Sequence, residues 1–266
     1  HSNTDVAVLT VFSNLTLVAV YSVYNMVISN MQNLVTSFSA GMEALFGELY
    51  AKREYTELNR IFGYYETMLS AVSLFCYGVT AVMIVPFVSV YTNGIKDANY
   101  IVPLFSLLLV ISSLIFCLRF PYHSMIIAAG KFKETRWAAF GEAVINIILS
   151  VILVMKYGLT GVAIGTVAAV LFRFIYYVYY LGKNVIKRSY LLFIKRTVVN
   201  ISLFALIYFL GTFICEKIEI NNFMSWIYVA LLTSLVTGVI VSVGTILAYR
   251  EDSKKIMQII AKKIGR

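Results

Sequence analysis

Residues 128–154 read AAGKFKETRWAAFGEAVINIILSVILV. Three cations, Lys131, Lys133 and Arg136, fall within six residues near its start, and from Trp137 onward the run is apolar except at Glu142, Asn146 and Ser150. An apolar helix of this length, basic at one end, has the form of a segment that crosses a hydrocarbon core of about 30 Å. The carboxylate inside it needs a partner or a purpose, because ionisable groups at membrane depth are costly.

The rest of the chain repeats this design. Hydrophobic residues make up 60% of the 266 and charged residues only 13%, where an ordinary soluble domain is about 45 to 50% apolar. Apolar runs lie near 16–47, 62–91, 99–127, 135–155, 159–182, 197–215 and 223–249, preceded by a piece at 5–13 that is too short to span. These runs predict an all-α fold, a polytopic transmembrane helical bundle of about seven full spans plus a partial first helix. The chain opens HSNTDVAVL, with no initiator Met and no basic n-region of a signal peptide, so it reads as the C-terminal part of a longer protein.

The cations give an orientation, since Lys and Arg of short loops stay in the cytoplasm. Seventeen of the 22 fall on one side, in the segments around 52–60, 131–136, 183–196 and 250–266, and only Lys96, Lys156 and Lys217 fall on the other. The alternation holds loop by loop, and it predicts a multi-pass protein of the cytoplasmic membrane with a cytoplasmic C-terminus. The net charge of +9 is then a signal of topology, and no nucleic-acid partner is expected. In the tail, 251–266, Ile256, Ile260 and Ile264 recur opposite Lys254, Lys255, Lys262 and Lys263. That pattern suits a basic amphipathic helix resting on membrane lipids of the anionic inner leaflet.

Enzymatic chemistry finds little to build on. Cys76, Cys117 and Cys215 are isolated, and His123 is the one histidine away from residue 1. No metal, cofactor or catalytic set can be assembled from them, and the short external segments TNGIKDAN, KYGLTG and CEKIEINN leave no room for an extracytoplasmic catalytic domain. Function must lie within the helices.

Two patterns stand out there. Tyr21, Asn25, Ser29, Asn33, Ser37 and Gly41 recur every fourth residue, a spacing that either packs helices through small and hydrogen-bonding residues or lines a water-filled cavity. Three asparagines within nine residues, Asn25, Asn30 and Asn33, favour the cavity. The second pattern is a charged layer. Glu142 lies about 10 Å in from the cytoplasmic edge by helical rise, Arg173 about 15 Å, and Arg119, just before Pro121, at a comparable depth. Glu142 either neutralises one of these arginines or shares a hydrated cavity in which they await an anionic ligand. Asn146 and Ser150 continue its face, and in the next run GVAIG at 161–165 allows close helix approach.

The run from Arg119 to Thr166, RFPYHSMIIAAGKFKETRWAAFGEAVINIILSVILVMKYGLTGVAIGT, together with Thr4, Asp5 and YSVYN at 21–25, resembles the C-terminal half of bacterial polysaccharide-biosynthesis flippases of the multidrug/oligosaccharidyl-lipid/polysaccharide exporter superfamily. The resemblance implies the C-terminal lobe of a two-lobe transporter: residues 1–183 would be lobe helices, the first truncated, and 184–250 two additional transmembrane helices. It implies flipping of undecaprenyl-pyrophosphate-linked oligosaccharide, with the missing N-terminal lobe as a partner. Carried over by residue, Arg119 and Arg173 resemble the cavity cations, and Glu142, Asn146 and Asp5 match polar positions of the same stretches, Asp5 as a candidate for coupling a proton or cation, or else a helix cap; Asn25 and Asn33 join the cavity lining through the four-residue stripe. A drug or metabolite/cation antiporter of the same superfamily would favour carboxylates over arginines in this layer, and a non-transporting scaffold would have no reason to bury charges at matching depth.

Overall fold

The computed structural model describes residues 2–39, 41–250 and 252, and all its regular structure is helical: α1 (Ser2–Phe12), α2 (Leu15–Ser37), α3 (Met42–Ala51), α4 (Tyr55–Tyr91), α5 (Pro103–Ala128), α6 (Phe132–Asn184), α7 (Tyr190–Glu216) and α8 (Phe223–Ala248). Five of these, α4 to α8, are long and apolar enough to cross a membrane. The protein is an all-α helical membrane bundle. The amphipathic pattern expected at 251–266 lies outside the described residues except for Asp252.

One expected boundary changes. The run at 16–47 is two helices, because the chain breaks between α2 and α3 and Gly41 takes a left-handed conformation with φ 84°, which glycine enters at little cost. The runs at 135–155 and 159–182 are two helical arms, both within the range labelled α6, that meet at Gly158, whose φ 54° and ψ −131° are not helical. The two arms fold back on one another. Ser150 donates to the Val162 carbonyl at 3.4 Å, and Tyr176 reaches the Glu134 carbonyl at 3.5 Å. The arms touch backbone to backbone where a side chain would not fit: a Cβ at Gly161 would stand 2.2 Å from the Leu153 carbonyl oxygen, and one at Gly165 2.8 Å from the Ser150 nitrogen. The GVAIG reading thus has its physical basis in this hairpin.

Burial grades from the centre outward. In their most apolar stretches α4 and α5 are 56% and 50% buried, against 17% and 22% for α7 and α8, whose Ile201, Phe209, Leu231 and Leu235 stay exposed as suits contact with lipid. A glycine draws α7 onto α4, since a Cβ at Gly211 would lie 2.5 Å from Val82. One end of the bundle gathers the basic junctions. There Asn59 donates to the Ile186 carbonyl at 3.1 Å, and Lys195 to that of Ala248 at 3.3 Å. At the opposite end Tyr24 donates to the Tyr100 carbonyl at 2.8 Å, and Trp226 to that of Met83 at 3.1 Å.

The four-residue stripe of α2 is only partly interior. Successive members drift by about 40° around a helix of 3.6 residues per turn, so Tyr21 is buried, Asn25 and Ser29 are half-buried, and Asn33 and Ser37 are exposed. Its hydroxyls largely bond their own helix: Ser22 to Val18, Ser29 to Asn25 and Thr36 to Gln32.

Candidate functional site: a buried charge layer and a polar cage

The fold-back of α6 decides which residues meet. Because Ser150 sits against Gly165, two turns away toward the basic end Glu142 comes opposite Arg173. The Arg173 Nη1 donates to Glu142 Oε2 at 2.5 Å, and Arg119 Nη1, from α5, donates to Oε1 at 2.7 Å. One carboxylate therefore holds two guanidiniums. The side chains of Arg119 and Glu142 are 5% and 2% exposed, and that of Arg173 is 19% exposed, so the layer is sealed on the α5 side and open at its edge beside Arg173. Tyr177 completes the setting by accepting from Arg173 Nε and Nη2 at 2.9 and 2.6 Å. The ring of Phe116 lies 4.8 Å from the Arg119 guanidinium, a cation–π contact. His123 stacks on Tyr177 with centroids 5.9 Å apart, as packing rather than as a ligand.

One turn along α6 is a second cluster. Asn146 Nδ2 donates to Thr166 Oγ1 at 3.0 Å and lies 3.4 Å from Asp5 Oδ1, Tyr21 donates to Asp5 Oδ2 at 3.0 Å, and Thr166 Oγ1 is 3.2 Å from both Asp5 oxygens. Thr166 and Ser150 both reach the Val162 carbonyl. Asp5 is thus no helix cap: its carboxylate is buried among side chains of three helices. Asn146 Oδ1 is buried with no hydrogen-bond partner. The Asp5 carboxylate, the Tyr21 and Thr166 hydroxyls, the Asn146 amide and the Val162 carbonyl form a polar cage in which the groups turned to the carboxylate are donors, Asn146 through its NH2. Among the described residues no group of three or more His, Cys, Asp or Glu could hold a metal ion.

No protein-family profile matches the chain, and neither a curated protein nor a solved structure is similar to it.

A cavity of about 160 Å³ opens above the cage. Asp5, Asn25, Gln32, Ser112 and Thr166 are on its wall. Arg119, Arg173, Glu142 and Asn146 are not lining residues of this cavity, and the Phe116 ring, which is, stands between it and Arg119. Asn33 is exposed and away from it. The structure thus brings Asp5 to Asn146 and Glu142 to both arginines, and joins the two groups only through one turn of α6.

A third cluster escaped the reading of the sequence. Near the basic end Glu66 of α4 accepts from the Tyr122 hydroxyl, from Arg188 Nη1 at 2.7 Å and, with Arg196 Nε, forms an ion pair at 3.1 Å. Arg196 also meets Asp252 at 3.0 Å and donates to Thr67 at 2.7 Å. The signal was present, because Glu66 is a carboxylate beside an apolar run just as Glu142 is. Its partners Arg188 and Arg196 lie in the basic segment 183–196, where the sequence shows them only as members of a run of cations.

Proposed function

We propose that this chain is the C-terminal lobe of a flippase that moves pyrophosphate-linked oligosaccharide lipids across the bacterial cytoplasmic membrane by alternating access. In this reading the arms of α6 are two spans and α2 a further one, which with α4, α5, α7 and α8 gives seven, and the basic end of the bundle faces the cytoplasm. The observation that carries it is the ratio in the buried layer: two guanidiniums share one carboxylate, leaving an excess positive charge beside the half-open Arg173. Guanidiniums present planar forks of donors that match phosphate oxygens. A pyrophosphate that replaced Glu142 as their acceptor would bind on donors already oriented.

Asp5 supplies the coupling. Counting its carboxylate, the stretch of α6 from Glu142 to Asn146 gathers two cations and two anions, and a proton or cation taken up by Asp5 returns the excess to the arginines one turn away. Substrate binding and ion binding then act on one helix. The cage also fits a cation antiporter, and the same experiment separates the two readings. In the full-length protein, Arg119→Gln and Arg173→Gln each leave a one-to-one pair with Glu142. They should fold and express, yet fail to complement a flippase deletion, with lipid-linked intermediates accumulating on the cytoplasmic leaflet. Lys at either position should rescue in part, since it keeps charge and loses the fork. Full complementation by both Gln variants would remove the flippase reading; loss of drug or cation export by Asp5→Asn with intact glycan export would favour the antiporter.

A further inference from the structure

The first turns of α4 and the junction between α6 and α7 enclose an open cleft of about 460 Å³ that carries Arg60, Lys187 and Arg188. Its walls are fixed before anything binds. Asn59 donates to the Ile186 carbonyl at 3.1 Å, the Arg188 amide bonds the Gly182 carbonyl at 3.1 Å, and Val185 and Ile186 are buried. Between them Lys187 is held in the left-handed region with φ 47°, a conformation unfavourable for a non-glycine residue. At Gly63 the missing side chain leaves Nη2 of Arg188 and of Arg196 each 3.9 Å from where a Cβ would stand.

Among the described residues the charges around the cleft do not cancel. Four cations, Arg60, Lys187, Arg188 and Arg196, face three carboxylates, Glu57, Glu66 and Asp252. The Arg60 to Glu57 pair is exposed, at 56% and 35%, and so is worth little. Lys187 makes no ion pair with any described residue. Helix α7 starts at the rim, with Ser189 as its cap, and adds the partial positive charge of a helix N-terminus.

The depth of the cleft identifies the ligand. Tyr55, Tyr179 and Tyr190 are exposed around it at 45%, 52% and 43%, the placement of tyrosines at a membrane–water interface. Leu191 and Leu192, in the first turn of α7, are exposed apolar side chains, and Leu192 lines the cleft. We propose that this cleft binds the phosphodiester headgroup of an anionic phospholipid, with its acyl chains along α7. Basic pockets between helices on the cytoplasmic side are suited to such headgroups, and the inference is independent of what the lobe transports.

The test uses the full chain, purified in detergent and stripped of lipid. Its unfolding midpoint and its retained lipid, by native mass spectrometry, are followed against phosphatidylglycerol, phosphatidylcholine and inorganic phosphate. Phosphatidylglycerol should raise the midpoint and remain bound, less so in high salt; phosphatidylcholine and inorganic phosphate should do neither. Arg60→Gln with Lys187→Gln should weaken the phosphatidylglycerol response by about tenfold or more, while the lipid-free midpoint stays put because both side chains are exposed. Lys187→Glu alone, a single surface change, should weaken it as well. Unchanged phosphatidylglycerol binding in these variants, or equal binding of phosphatidylcholine, would overturn the proposal. A response to inorganic phosphate equal to that of the lipid would replace the headgroup by a soluble anion and overturn it too.

Discussion

Two clusters in this molecule bury ion pairs, and they are built differently. Near the basic end, Arg188 and Arg196 face Glu66 and Asp252, two against two, and three of these side chains keep an exposed fringe of 9% to 25%. In the middle of the bundle Arg119 and Arg173 face, among the described residues, the one carboxylate of Glu142, which is 2% exposed. The balanced cluster joins α4 to α7, to the junction between α6 and α7 and to Asp252 beyond α8. The unbalanced one sets two guanidiniums on the two oxygens of a single carboxylate.

Removing the carboxylate from each cluster gives the largest expected effect and the direct test of this contrast. Glu142→Gln leaves two adjacent guanidiniums buried without a counter-charge, and should cost about 3 to 5 kcal/mol, as breaking a buried pair does. Expression and the unfolding midpoint in detergent should both fall sharply. Glu66→Gln should cost less, about 1 to 2 kcal/mol, because Arg196 keeps Asp252 and Thr67 and Arg188 has access to water. Equal losses in the two variants would abolish the distinction.

Next in size is the hairpin that assembles the middle layer. Gly165→Val directs a branched side chain into the Ser150 backbone and should cost about 1 to 3 kcal/mol through overpacking, while loosening the register that sets Glu142 against Arg173. Gly238→Val, where the nearest atom to a new Cβ is Phe75 at 3.7 Å, should be nearly silent by the same measurement.

Smaller again is the effect of Arg173→Gln on stability. It converts the middle cluster to one cation and one anion, so the midpoint should shift by no more than about 1 kcal/mol even where transport is lost. A loss as large as that of Glu142→Gln would mean that the second arginine is structural. The smallest change should come from Glu48→Gln, whose partner Lys52 is as exposed as itself, at 57% and 58%. No shift in midpoint is expected there.

The sequence by itself determined the class of structure. Apolar runs of membrane-spanning length and the sorting of Lys and Arg to alternate junctions are local properties, legible without any contact, and α4, α5, α7 and α8 begin and end close to where those runs do. That Glu142, Arg119 and Arg173 share one level of the bundle was legible too, because helical rise converts residue number into distance. Partnership was not. That Glu142 takes both arginines, and that Asp5 of α1 meets Asn146 and Thr166 rather than capping its own helix, follows from the fold-back at Gly158 and from the close approach at Gly161 and Gly165, which bring together residues as far as 161 positions apart. The break at Gly41 and the drift of the α2 stripe out to solvent at Asn33 were equally matters of the assembled bundle. A four-residue period fixes which residues share a face, and only the packing of neighbours decides where along the helix that face is covered.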